Sequence, residues 1–266
     1  MNIAVVTGAS SGMGREFVLQ LSDYVKVDEI WVIARRAMAL ESLREQVPVP
    51  VRPVVLDLSK DESFESYEAL LREENPTVSL LVNAAGFGKF GAFQRVPVKE
   101  DCRMIDLNCK ALVMMTRLTL PHMGPGSRIL ELDSLSAFQP VPYISLYGAT
   151  KAFVLSYTRA ISRELKEKGI RVMAMCPGWV KTDFFDHAFQ TNHTEVQYFD
   201  RLYEARDVVK TGLHDLYRTK KDVSIHGLPV RMQVRLVKLL PHSLVMKIWL
   251  RQQKTPRNNQ GLTKDR

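Results

Sequence analysis

The sequence predicts an α/β protein with a doubly wound parallel sheet and helices on both of its faces. Three observations predict it. Short apolar runs rich in β-branched residues alternate with stretches of helical period. Those runs are nearly continuous in apolar character, as suits parallel strands covered on both sides rather than half-exposed antiparallel ones. A glycine-rich turn follows the first run directly and opens the first helical stretch, the usual start of such a sheet.

Taken in order, strands are expected at 3–7, 30–34, 51–56, 80–83, 128–132 and 171–175. The stretches between them, such as 14–25, 37–46 and 63–74, are long enough for right-handed crossover helices. After Pro177 the rhythm changes to a polar, aromatic-containing region as far as residue 204, where a substrate cover at 183–204 is expected. A helix at 205–219, a short strand at 223–226 and a basic amphipathic segment at 228–254 follow, the last broken by Pro241 into two shorter helices and expected to close on the substrate region or, as the second reading, to attach to anionic lipid. Residues 255–266 are polar and expected to be loose. With no repeat, low-complexity tract or linker, residues 1–266 are expected to form one domain.

The chain is 45% hydrophobic and carries a formal charge of +8, much of the basic excess lying after residue 200. No interleaved aromatic and basic run accompanies that charge, so an anionic cofactor or membrane surface is preferred to nucleic acid. Cys102, Cys109 and Cys176 have no CxxC spacing, and neither a disulfide framework nor a metal site is expected. An apolar strand begins within two residues of Met1 and no run reaches membrane-spanning length, so a cytoplasmic protein is expected.

The turn after the first strand reads Thr7-Gly8-Ala9-Ser10-Ser11-Gly12-Met13-Gly14. Glycines there permit positive φ and close backbone approach, so amides at the helix N-terminus can face a pyrophosphate. Gly8, Ser10, Ser11, Gly12, Met13 and Gly14 are therefore candidate cofactor contacts, against the plainer reading of a structural turn. The second strand ends in Arg35 and Arg36, where a carboxylate would accept the ribose hydroxyl of NAD. Two guanidiniums suit a 2'-phosphate instead, so NADP(H) is expected over NAD(H). Arg15 either reinforces that pocket or lies on the surface.

Tyr147 and Lys151 stand four residues apart in a helical segment running to about residue 168, which puts phenol and ammonium on one face. A neighbouring ammonium favours phenolate and is expected to bring the Tyr147 pKa down toward working pH, as a general acid/base requires. Such a pair arises by chance on many helices, but Ser134 precedes it by thirteen residues at the carboxyl end of the 128–132 strand, where such sheets hold ligands. Asn108 sits mid-helix, a place its side chain disfavours, so it is either used chemically or exposed.

In order and joint spacing these residues resemble the short-chain dehydrogenase/reductase family in its single-domain, Rossmann-like form. The resemblance covers about residues 2–182 and rests on 7–14, Asp57-Leu58, Asn83-Ala84-Ala85-Gly86, Asn108, Ser134, Tyr147-x3-Lys151 and Pro177-Gly178. It implies that Tyr147 protonates a carbonyl oxygen oriented by Ser134, that Lys151 lowers the phenol pKa and binds the nicotinamide ribose, and that Asn108 holds a relay water. It also implies adenine contacts at Asp57 and Leu58, a wall beside the adenosine ribose at Asn83, Ala84 and Gly86, and a nicotinamide frame from Pro177 and Gly178 through Val180 to Thr182. Two departures are mild: Asn83-Ala84-Ala85-Gly86 has Ala where a second Asn is common, and Asp133-Ser134-Leu135-Ser136 replaces the usual paired serines. The family commonly forms homodimers or homotetramers, here through helices that include 111–122 and 146–168.

The expected activity interconverts a ketone or aldehyde with an alcohol, using NADP(H) and a small hydrophobic substrate, steroid-like or 3-oxoacyl. Phe184, Phe185, Phe189, Tyr198, Phe199 and Tyr203 suggest that substrate, against ordinary core packing; Phe87, Phe90 and Phe93 either line the same mouth or cover the sheet. The rivals are an idle NADPH-binding sensor, which the intact catalytic positions oppose, and a membrane-surface protein acting through its basic tail.

Overall fold

A computed structural model describes residues 1–188, 195–199 and 201–254. Phe189 and the expected loose end at 255–266 lie outside the described residues. The first half runs β1 (Asn2–Thr7), α1 (Gly12–Gln20), β2 (Glu29–Ala34), α2 (Ala37–Glu41), β3 (Val51–Val55), α3 (Glu62–Glu74) and β4 (Thr77–Asn83). Next come α4 (Val98–Ile105), α5 (Ala111–Thr119), β5 (Arg128–Leu132), α6 (Ser145–Glu164) and β6 (Arg171–Met175). The remainder holds β7 (Trp179–Lys181), α7 (Phe184–Ala188), β8 (Leu202–Glu204), α8 (Ala205–Arg218), β9 (Val223–Ser224), α9 (Leu228–Leu239) and α10 (His242–Gln253).

Seven strands form one parallel sheet in the order β3-β2-β1-β4-β5-β6-β9, the doubly wound arrangement expected. Strand alternation divides the core in two. Ala4 and Val6 of β1 pack with Phe17 and Val18 of α1 and Val209 and Leu213 of α8. Ile3 and Val5 point the other way, against Phe64, Tyr67 and Leu71 of α3 and Met115 of α5. Each fully buried side chain of this size contributes about 1.5–3 kcal/mol. The chain order reverses between β1 and β4, opening the crevice where such sheets bind ligands.

Most boundaries fall within a few residues of expectation, and the differences have local causes. Helix α2 stops at Glu41 because the chain tightens into bonds three residues apart, Leu43 N to Leu40 O and Gln46 N to Leu43 O, ahead of Pro48. Between α4 and α5 the residues Asp106–Lys110 form a π-turn, in which the Ala111 amide donates to Asp106 O. Strands β7 and β8 pair in parallel and were not expected, since three-residue strands carry too little alternation to read. The basic tail does break at Pro241, which directly precedes α10.

Candidate active site

The turn after β1 is built for close approach. Gly8 has φ +68, and a Cβ there would lie 2.8 Å from Ala84 O; one on Gly14 would lie 2.2 Å from Gly8 O. Thr7 Oγ1 accepts from the amides of Ala84 and Ala85 at 3.0 and 3.1 Å, clamping the β4 loop onto the same turn. Ser11, extended at the N-cap of α1, makes no side-chain cap, which leaves the first amides of the helix for an anion.

Gly8, Ser10, Ser11, Gly12, Met13 and Gly14 line a cleft of about 510 Å³ together with Arg35, Arg36, Asp57, Leu58, Ala84 and Gly86. Arg36 donates to Ser10 Oγ at 3.2 and 3.3 Å, so the second strand's cations meet the glycine turn. Asp57 is braced by Ser59, whose amide and hydroxyl donate to its Oδ1 at 3.1 and 2.7 Å. One expected contact lies elsewhere, and Arg15, left open between pocket and surface, stays out of the pocket. Asn83 is buried and absent from the lining; its Nδ2 donates to Thr116 Oγ1 at 3.0 Å, so it ties β4 to α5. Arg15 turns away to Ala39 O, Ser42 and Gln46 on and after α2.

Ser134, Tyr147 and Lys151 line a second cavity, of about 420 Å³, with Pro177, Gly178, Val180 and Thr182. The two cavities share Met13, Ala84, Gly86, Leu132, Thr182 and Phe184, so the cleft runs on into the catalytic trio. Ser134 Oγ accepts from the Ser136 amide at 3.2 Å, which orients its hydroxyl beside β5. Lys151 Nζ donates to Leu132 O at 2.7 Å and stands 5.8 Å from the Tyr147 ring centre.

The expected lowering of the Tyr147 pKa is corrected by this geometry. Burial pushes the phenol above its ordinary value, outweighing the hydrogen bond from Ser134, while the nearby Asp133 charge pushes it further. Burial also lowers Lys151, against the opposing pull of Asp133. Asn108 is corrected too: it is 1% exposed and its side chain faces neither cavity. From the π-turn its Oδ1 accepts the Phe87 amide at 3.0 Å, and its Nδ2 donates to Phe87 O at 2.9 Å and Thr150 Oγ1 at 3.1 Å. Its amide is thus spent on joining the β4 loop to α6.

Two buried acids under the trio were missed from the sequence. Glu131 of β5 is 0% exposed and burial pushes it up to about 8; Asp133 is 2% exposed and burial pushes it up to about 7. Asp133 Oδ2 accepts the Cys176 thiol at 3.4 Å, and its Oδ1 has no partner. Their signal was available: acidic residues two apart at the end of an apolar strand share one face.

Of the aromatic residues singled out, Phe184, Phe185 and Tyr198 line the catalytic cavity. Phe199 and Phe90 pack against Trp179, Tyr203 against His226, and Phe93 is exposed. Phe87 lines the cofactor cleft. The amphipathic tail lines the cavity too, through Leu236, Leu240, Val245 and Ile248, and the sequence did not mark Trp179 from β7 or Trp249 and Gln252 from α10. The Trp249 indole donates to Pro142 O at 3.0 Å, and Gln253 Oε1 accepts the amides of Gln197 and Tyr198, so the tail holds the cover in place.

The family model described as short chain dehydrogenase matches residues 2–193. An uncharacterized oxidoreductase of Myxococcus xanthus is 30% identical over 247 residues, 91% of this chain and 93% of its own. A short-chain dehydrogenase from Sphingobium yanoikuyae, solved in complex with NADPH, is similar with a TM-score of 0.76 at 25% identity, covering 92% of this chain and 95% of that one. The 3-ketoacyl-(acyl-carrier-protein) reductase of Brucella melitensis, solved with NADH, has a TM-score of 0.70 at 25% identity over 84% of this chain and 94% of its own. With a seven-stranded parallel sheet and a glycine turn continuous with a Ser-Tyr-Lys cavity, the chain belongs to the short-chain dehydrogenase family.

Proposed function

We propose that this oxidoreductase uses NADP(H) to interconvert a ketone or aldehyde with an alcohol on an apolar substrate of steroid-like or 3-oxoacyl class. The observation that carries it is the continuity of the two cavities, one lined by the glycine turn and Arg35 and Arg36, the other by Ser134, Tyr147 and Lys151. The cleft fits a dinucleotide: only glycine at 14 lets α1 pack this close against the turn at Gly8, the α1 amides are uncapped, and two guanidiniums favour a 2'-phosphate over a bare ribose. The likeness to an NADPH-bound relative supports that choice, and the NADH-bound one leaves Arg35 and Arg36 as its local reason.

When bound, the cofactor supplies or accepts the hydride. Everything else falls to the chain. Ser134 orients the carbonyl oxygen, and Tyr147, kept protonated by burial, gives that oxygen its proton. Lys151 would hold the ribose of the cofactor and, as a cation, ease phenolate formation once the proton has left. Asn108 is a positioning residue that fixes Phe87 and Thr150 rather than a water-holding one through its side chain. Leu236, Ile248 and Phe185 exclude water and favour an apolar substrate body. A homodimer or homotetramer through α5 and α6 and a cytoplasmic location accompany this proposal; Phe153, exposed on α6, stacks on Tyr157 at 6.0 Å.

The test is consumption of NADPH by the purified chain against a panel of steroid ketones, 3-oxoacyl thioesters, sugars and quinones. Turnover of one of the first two classes is expected. Turnover confined to sugars would overturn the substrate class, and no turnover by a folded, NADPH-binding protein would overturn the activity.

A further inference from the structure

The surface of α9 and α10 is unlike the rest of the molecule. Leu228, Met232, Leu236 and Leu239 recur at four-, four- and three-residue steps and form one stripe along α9. All are exposed, Leu239 by 82% and Leu228 by 64%. On α10, Leu244 and Ile248 stand four residues apart, one turn of the helix, and are both also exposed. Neither helix spends its only apolar face here, because Val230, Val234 and Val237 of α9 and Val245 and Trp249 of α10 are buried against the body.

Charge is arranged around that stripe. From Val223 to Lys254 the sequence has no Asp or Glu, and it has six Lys and Arg. At about 100° per residue, Arg231, Arg235 and Lys238 fall on one flank of the α9 stripe, and Lys247 and Arg251 together on one flank of Leu244 and Ile248 on α10. The opposite flank holds Gln233, Val237, Val245 and Gln252, which line the catalytic cavity. Leu236 and Ile248 belong to both sets: they are exposed and they line the cavity. The apolar stripe therefore runs up to the mouth of the site.

We propose that α9 and α10 lie flat on an anionic phospholipid bilayer, with Leu228, Met232, Leu239 and Leu244 in the acyl boundary and the cations among the headgroups. An apolar stripe beside cations on a short surface helix is the pattern of interfacial attachment. Each helix is 12 residues, about 18 Å, too short to span, and among the described residues no helix is long and apolar enough to cross a membrane. A second copy seated on the same face would set six cations against six with no carboxylate between them. Nucleic acid would leave the leucines against phosphate. Docked this way, the cavity mouth faces the lipid, and an apolar carbonyl compound dissolved there enters without crossing water; that delivery step alone rests on the function proposed above.

The experiment is flotation of the full-length protein with phosphatidylcholine vesicles and with vesicles also containing phosphatidylserine, read without substrate or NADPH so that a failed activity leaves its result intact. Wild type is expected to float with the anionic vesicles, less so at high salt, and weakly with neutral ones. Met232→Glu with Leu239→Glu, and Arg235→Glu with Lys247→Glu, are each expected to lower partitioning about 30-fold or more while melting at the wild-type temperature. None of these four residues lines either cavity. No flotation of wild type, equal flotation with neutral vesicles, or wild-type flotation by both folded variants would each overturn the proposal. So would a dimer, seen by sedimentation equilibrium and dissolved by the same substitutions, in a protein that ignores vesicles.

Discussion

Replacing Glu131 with Gln should remove a large part of this protein's loss of stability at alkaline pH. Thr116 Oγ1 stands 2.9 Å from Glu131 Oε1 and 2.8 Å from Leu112 O, and it also receives the Asn83 amide. One hydroxyl proton cannot serve two acceptors, and a proton on Glu131 resolves the conflict by donating to Thr116 while Thr116 donates to Leu112. Burial agrees, pushing Glu131 from 4.5 up to about 8. Because the folded value lies above the unfolded one, the stabilisation is complete below about pH 4.5 and is lost as pH rises through about 8. Fully expressed, that difference is on the order of 5 kcal/mol. Asp133, raised from 3.8 to about 7, adds a loss of the same sign that the variant keeps. Gln has the same shape, donates where the proton was and does not titrate. Urea unfolding across pH 5 to 9 should therefore find the two proteins within about 1 kcal/mol at the acid end and the variant more stable by about 3–5 kcal/mol at the alkaline end. Parallel curves would refute a protonated Glu131.

Three further outcomes follow from the site. Tyr147→Phe should lower kcat by about 10²- to 10⁴-fold while NADPH binding, followed by fluorescence, changes less than about twofold; turnover near wild type would remove Tyr147 as the acid. Arg35→Asp should weaken NADPH at least about tenfold relative to NADH in steady-state kinetics, and an unchanged preference would defeat the assignment of Arg35 to a 2'-phosphate. Gly14→Ala must push the helix start away from Gly8 O, which a Cβ would approach to 2.2 Å, so both the melting temperature and NADPH affinity should fall. A variant that matches wild type in both would mean the turn is looser than this geometry.

Much of the fold was legible because its signals are local. Strands β5 and β6 were placed to the residue since each is a short apolar run behind an Arg boundary, broken in β5 by Glu131 alone. The break at Pro241 needed only the missing amide of proline. What escaped depends on partners distant in the chain. Residues Asp106–Lys110 carry no mark of a π-turn, because the extra residue is accommodated by Asn108 bonding Phe87 and Thr150 across the core. Asn83 and Arg15 sit at the right distance from the glycine turn along the chain, yet each finds a partner that draws it off the cleft, Thr116 in one case and the end of α2 in the other.

The same division explains why the Tyr147–Lys151 pair was found while its energetics were misjudged. A four-residue step on α6 does bring the two side chains to one cavity, but it says nothing of what lies beneath them. Strand alternation puts Glu131 and Asp133 on a common face there, and each, when ionised, raises the Lys151 pKa, Asp133 more than Glu131. Lys151 spends its short hydrogen bond on Leu132 O, at the residue between those two acids, and burial is left to dominate Tyr147. Acids two apart at the end of an apolar strand are costly to bury without a purpose, and their cost falls when a lysine stands over them. The charge state of the site thus depends on acids on and just after β5, sixteen and fourteen residues before the tyrosine that acts, and the pH at which Tyr147 and Lys151 work should move with the protons on Glu131 and Asp133.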